Sequence, residues 1–159
     1  LHSFPTRRSS DLLLATDSIT DRYLGYLKAM LEYHLPVREE WIIPDRDAET
    51  GGTIPICLPE NLPTAFVCNC DVMAMRLMEC LEARGLRVPE DISIVGFDNF
   101  IHDKEENSPL TTYAIDTRQM AEKGVAILMQ RLNGHEEQKG LQIVNGKILF
   151  RKSVKKLNP

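Results

Sequence analysis

Short apolar runs alternate with helical periods along most of the chain. Leu12-Leu13-Leu14-Ala15 is a first apolar run, of a length that suits a buried strand. Behind it Ile19, Tyr23, Leu27, Met30 and Leu31 recur at helical spacing, which predicts a helix ending before Pro36. Ser18, with Asp21 three residues on, resembles a capping box at its start. Trp41-Ile42-Ile43, closed by Pro44, is a second strand candidate. From Asp45 to Pro63 the chain is rich in Asp, Gly, Pro and Thr, and Gly51-Gly52 with Pro55, Pro59 and Pro63 predict a loop.

The pattern is clearest in the middle. Ala65-Phe66-Val67-Cys68 reads as a buried strand. A helix follows from about Asp71, with Ala74, Leu77, Met78 and Leu81 on one face and Gly85 placed to end it. After Pro89, Ile92-Ser93-Ile94-Val95 is the next strand. Strand, helix and strand over some thirty residues make a βαβ unit, so these strands should be parallel with a right-handed crossover. Asp116 is placed to cap a third helix in which Ala121, Gly124, Val125, Leu128 and Leu132 share a face, with Asn133-Gly134 as its stop. Ile143-Val144 and Ile148-Leu149-Phe150 flank Asn145-Gly146-Lys147, a hairpin signal. The whole is an α/β layered domain with a mostly parallel sheet flanked by helices.

Composition narrows the class without naming a function. The chain is 43% hydrophobic and 26% charged, which is ordinary for a globular domain. No stretch approaches the roughly 18 consecutive apolar residues of a membrane helix. The formal net charge is −4, and no basic stripe is available to neutralise phosphates, which argues against nucleic-acid binding by these residues themselves. Cys57, Cys68, Cys70 and Cys80 lack zinc-ligand spacing and are expected to be free, buried thiols in a reducing cytoplasm. No metal site and no cofactor is expected.

In an open parallel sheet, ligands bind outside the carboxyl ends of the strands. Three such ends deliver polar groups. The first offers Thr16, Asp17 and Ser18, with Arg22 one helical turn beyond; the second Asn69 and Asp71; the third Gly96, Phe97, Asp98 and Asn99. A guanidinium fork and a carboxylate suit the adjacent hydroxyls of a polyol or sugar, and Phe97 offers a ring for its apolar face. Each residue also has a plainer reading: Asp71 as a helix cap near the site, Asp98-Asn99 as turn chemistry, Arg22 as a solvated charge. Gly96 belongs to no phosphate loop, and no Ser/His/Asp grouping suggests a nucleophile. An enzyme is therefore not expected.

Residues Leu1 to Leu12, LHSFPTRRSSDL, fit no hydrophobic period. The string is similar to a read-through translation of a sequencing adapter and is set aside as a non-native tail, residues 1–12. The run Arg84–Asn99, RGLRVPEDISIVGFDN, resembles the signature of the sensor domain of LacI/GalR transcriptional regulators. Further matches occur in the family's order: Arg22-Tyr23-Leu24-Gly25-Tyr26, Pro63-Thr64-Ala65-Phe66 with Asp71-Val72-Met73-Ala74, Pro109-Leu110-Thr111-Thr112, and Phe150-Arg151-Lys152-Ser153-Val154.

The resemblance implies a type I periplasmic-binding-protein-like lobe, incomplete here, over residues 13–154, with 155–159 as a tail. It implies an effector-sensing function: a small polar ligand, sugar-like, controls operator binding by a cytoplasmic homodimer. The DNA-binding helix-turn-helix and most of the first lobe are expected to lie outside this sequence. Carried over by position, Arg22 and Asp98 would bind the effector, and Ser18 would line the pocket. Where the family usually has Asn before the helix-opening aspartate, this chain has Cys70, with Asn69 one residue earlier. The rival readings are a solute-binding component of a sugar transporter, which a leader peptide would reveal, and a doubly wound α/β enzyme, which turnover dependent on Asp98 would reveal.

Overall fold

The computed structural model describes residues 17–47, 49–100, 108–134 and 140–156. The expected strand at Leu12–Ala15 and the tail 1–12 lie outside the described residues. Helix α1 covers Asp17–Glu32, and after a 3-10 turn at Glu39–Trp41 and a long loop comes strand β1, Ala65–Val67. Helix α2 spans Asp71–Ala83, β2 Ser93–Asp98, β3 Thr111–Ala114, α3 Thr117–Leu132 and β4 Lys147–Leu149. The four strands form one sheet in sequence order. β1 and β2 are parallel, β2 and β3 are parallel, and β4 runs antiparallel beside β3.

The βαβ unit forms at the predicted places, but β1 is not the buried strand expected: Phe66 is buried while Ala65 and Val67 face solvent. Along β2, buried Ile94 and Gly96 alternate with Ser93, Val95 and Phe97, as the pleat requires. Against the buried side lies α2, whose Ala74, Leu77 and Leu81 join Leu58, Phe66, Ile92, Ile94 and Leu110 in the core. Gly85 ends α2 with φ +77, a conformation that glycine adopts without a Cβ penalty. Asp116 caps α3 by accepting the Gln119 amide at 2.8 Å. The apolar face expected on α3 exists but is uncovered: Val125, Leu128 and Leu132 are exposed, and α3 buries none of its residues.

Three local expectations are corrected. Trp41-Ile42-Ile43 is not a strand: Trp41 ends the 3-10 turn, and its indole N–H is taken by the Asn61 carbonyl at 2.8 Å. Ile43 packs on the core from an unpaired segment. Ser18 is not a cap, because it already lies inside α1. Asn145-Gly146 does not join two hairpin strands. Lys147–Leu149 pairs with β3 instead, while residues 143 and 144 carry no strand. Gly146 sits against the Tyr113 ring and donates its N–H to the Tyr113 hydroxyl at 2.9 Å.

The C-terminal segment closes the sheet where β3 begins. Buried Ser153 accepts the Thr111 amide on Oγ at 2.8 Å and donates that hydroxyl to the Ile94 carbonyl at 2.6 Å. Its own carbonyl accepts the Ile94 amide at 2.8 Å. Ser153→Ala leaves a buried N–H and a buried C=O short of a partner, so unfolding in urea should show a loss of about 2 kcal/mol.

Candidate functional site

At the carboxyl ends of β1 and β2, Arg22 of α1 and the start of α2 bring several of the expected polar groups together. Arg22, half-buried on α1, donates from Nη1 to the Asn69 carbonyl at 2.9 Å. Its guanidinium carbon sits over the Phe97 ring, 4.0 Å from the centroid, and Phe97 stacks on Tyr113 at 5.3 Å. A planar cation over an aromatic face is held without surrendering all its donors, since five N–H groups are available.

Asp98 closes β2 with φ +95, followed by Asn99 at +58. Its Oδ1 accepts the Phe100 amide at 3.1 Å. Burial pushes the Asp98 carboxyl above the ordinary aspartate value; the Phe100 amide, the Arg22 charge and the Asp71 backbone N–H pull the other way. That Asp71 amide belongs to the first turn of α2, where the helix dipole favours an anion. Asp98 is thus held between a helix N-terminus and a cation, with part of its surface open to a ligand.

Asp71 itself is corrected. The cap position of α2 is Cys70, which makes no side-chain cap bond, and Asp71 is the first helical residue. Its carboxylate is fully buried and accepts the Thr112 hydroxyl at 2.5 Å, tying α2 to β3. Among the described residues, the other oxygen, Oδ2, meets no donor at hydrogen-bond geometry. Burial raises its pKa above 3.8, the Thr112 bond opposing and the Asp98 charge adding. The folded form therefore holds this proton more tightly than the unfolded form does. Its contribution to stability is full below 3.8 and is lost as pH rises through the raised folded value. Asp71→Asn removes that dependence, so urea midpoints across this window should fall less with pH than those of the unmutated chain; parallel profiles would contradict the assignment.

Ser18 is exposed in the first turn of α1, one turn ahead of Arg22. Asn69 contributes its carbonyl to Arg22, while its amide reaches toward Asp45 Oδ2 at 3.4 Å. Asp45, in the long loop, is a neighbour that sequence reasoning missed, because nothing local ties it to Asn69. The cysteines are free, but Cys57 is exposed rather than buried, and Cys68, Cys70 and Cys80 are only partly covered. Burial pushes the Cys68 thiol up to about 12, which keeps it protonated and inert. Among the described residues, no group of three or more His, Cys, Asp or Glu side chains is placed to hold a metal ion. A cavity of about 330 Å³ at the end of β3 is lined by Ala114, Ile115, Asp116, Asn145, Gly146 and Lys147, and neither Arg22 nor Asp98 lines it.

A family model described as a periplasmic binding protein-like domain matches residues 12–154. The chain belongs to this family. Within it, the curated relatives that the chain resembles are transcriptional repressors. The HTH-type transcriptional repressor PurR of Vibrio campbellii is 36% identical over 141 residues, covering 87% of this chain and 42% of the relative. The PurR of Glaesserella parasuis is 34% identical over 147 residues, covering 86% and 43%. The chain therefore spans less than half the length of the curated relatives it matches.

Solved structures agree. A dimeric Lac repressor with an 11-residue C-terminal deletion superposes with a TM-score of 0.68 at 25% identity, covering 91% of this chain and 53% of the repressor. The lac repressor dimer bound to operator and the anti-inducer ONPF gives 0.52 at 35% identity, covering 58% and 32%. The curated relatives and these two structures all carry repressor names. Among the described residues, no helix is long and apolar enough to cross a membrane.

Proposed function

We propose that this chain is the effector-sensing part of a LacI/GalR-type transcriptional regulator. In the complete protein, a small polar ligand binds over Arg22 and Asp98 and shifts a homodimer between states of different operator affinity. The observation that carries this reading is the meeting of Arg22, Asn69 and Asp98 at the carboxyl edge of β1 and β2. A guanidinium and a carboxylate side by side, with Phe97 beneath, offer donors, an acceptor and an apolar wall to one ligand. A sugar-like effector suits that set. Cys70 stands beside it in place of an amide and offers only weak hydrogen bonding, which favours a ligand with an apolar or soft edge on that side. Operator contact belongs to a helix-turn-helix headpiece, and the regulator works in the cytoplasm.

The names of the relatives favour a regulator over a transporter's solute-binding component. Anisotropy of labelled operator with the complete protein is the test. Addition of the effector should change operator affinity by about 5- to 150-fold, the usual range of allosteric coupling. A complete protein with no operator affinity in either state would remove the regulator reading.

A further inference from the structure

The effector rim is held in place by a residue far from it in sequence. Asp98 and Asn99 both have φ in the left-handed region, which non-glycine residues occupy sparsely and which two residues in succession need their surroundings to favour. Arg151, beyond β4, supplies that support. Its Nη2 donates to Asn99 Oδ1 at 2.9 Å and its Nη1 to the Leu110 carbonyl at 2.8 Å, while its backbone N–H donates to Thr111 Oγ1 at 2.9 Å. One planar fork thus spans the end of β2 and the start of β3 and fixes the turn that carries Asp98.

We propose that Arg151 is a positioning residue for the effector rim, holding Asn99 and through it the Asp98 carboxylate in the orientation that meets a ligand. This rests on the effector site of the preceding subsection. Arg151 need not touch the ligand, since its grip on Asn99 also preserves the bond from the Phe100 amide to Asp98 Oδ1. The charge of Arg151 acts on buried Asp71 as well, lowering its pKa. Lysine keeps the charge but has no rigid fork to reach both acceptors.

The test uses the isotope-labelled 159-residue chain and two NMR readouts, amide exchange at Phe100 and the pH titration of the Asp98 carboxyl carbon. Arg151→Ala and Arg151→Lys should each speed Phe100 exchange by about tenfold or more. Both should move the Asp98 midpoint, because the burial that raises it and the Phe100 amide that lowers it both depend on how this turn is held. Asn99→Gly removes the acceptor from the other side while tolerating the positive φ, and should give the same shift even if the Arg151 variants fold poorly. Ser153→Ala loosens the same terminal segment at Thr111 and should leave the Asp98 midpoint unchanged. An unmoved midpoint in the Arg151 and Asn99 variants, or an equal shift in Ser153→Ala, overturns the proposal. Neither readout involves an effector or an operator, so failure of the regulator reading would appear only in the operator titration.

Discussion

Gly96→Ala should destabilise the chain by about 3 kcal/mol or more, although it adds a single methyl group. A Cβ at this position would collide with the Asp71 carboxylate and stand 2.9 Å from Leu110 Cδ2. Gly96 and Thr112 are register partners on β2 and β3, and the Asp71 side chain descends from α2 onto the pair. Neither neighbour can yield cheaply. Leu110 is fully buried, and an Asp71 carboxylate that swung away from Thr112 would remain buried without its hydrogen bond. The same substitution at Gly124, mid-helix in α3 with nothing within 4 Å of the added atom, should stabilise by about 0.5–1 kcal/mol. Equilibrium unfolding in urea separates the two, and a Gly96→Ala variant as stable as Gly124→Ala would refute the packing described here.

That contrast shows where sequence reasoning reaches its limit. Apolar spacing in Ala74, Leu77 and Leu81 and the stop at Gly85 were legible because a helix face and a left-handed cap are local properties. The Asp71 pattern was legible only as helix-start chemistry. Its real partner, Thr112, lies 41 residues away, and no local rule ranks a buried strand hydroxyl above a cap. The Asn145-Gly146 signal failed for a related reason. The glycine answers to the Tyr113 ring packed against it, and the strand that follows pairs with β3 across the whole of α3. Trp41-Ile42-Ile43 had the apolar character of a strand but no pairing partner among the described residues, so its side chains pack without a ladder.

The candidate site was more legible than its support. Arg22, Asn69 and Asp98 follow from the rule that ligands collect at strand carboxyl ends, and the structure brings those three together. Cys70 is beside them at the helix cap, and Ser18 one turn along α1. The Phe97–Tyr113 stack beneath Arg22 was half visible, since the ring at Phe97 stood out but its partner on β3 did not. Arg151 and Ser153 were visible only as part of a family pattern. Their hydrogen bonds span 52 and 59 residues of sequence, and only the folded sheet makes them neighbours.

The second large effect concerns the site itself. Arg22 is parked on Phe97 and Asn69 with donors to spare, and Asp98 is partly buried and charge-supported, so each should form a charge-assisted hydrogen bond to a polar ligand. Truncating either leaves the other charge in the cleft without its partner and the ligand without its strongest contact, a loss of about 2–4 kcal/mol. Calorimetric titration of the complete protein with its effector is the direct measurement, on the unmutated form and on Arg22→Ala and Asp98→Ala. The expected result is a dissociation constant raised roughly 30- to 1,000-fold in both variants, with the fold retained by circular dichroism. Unchanged affinity in both would contradict an effector site at the carboxyl edge of β1 and β2.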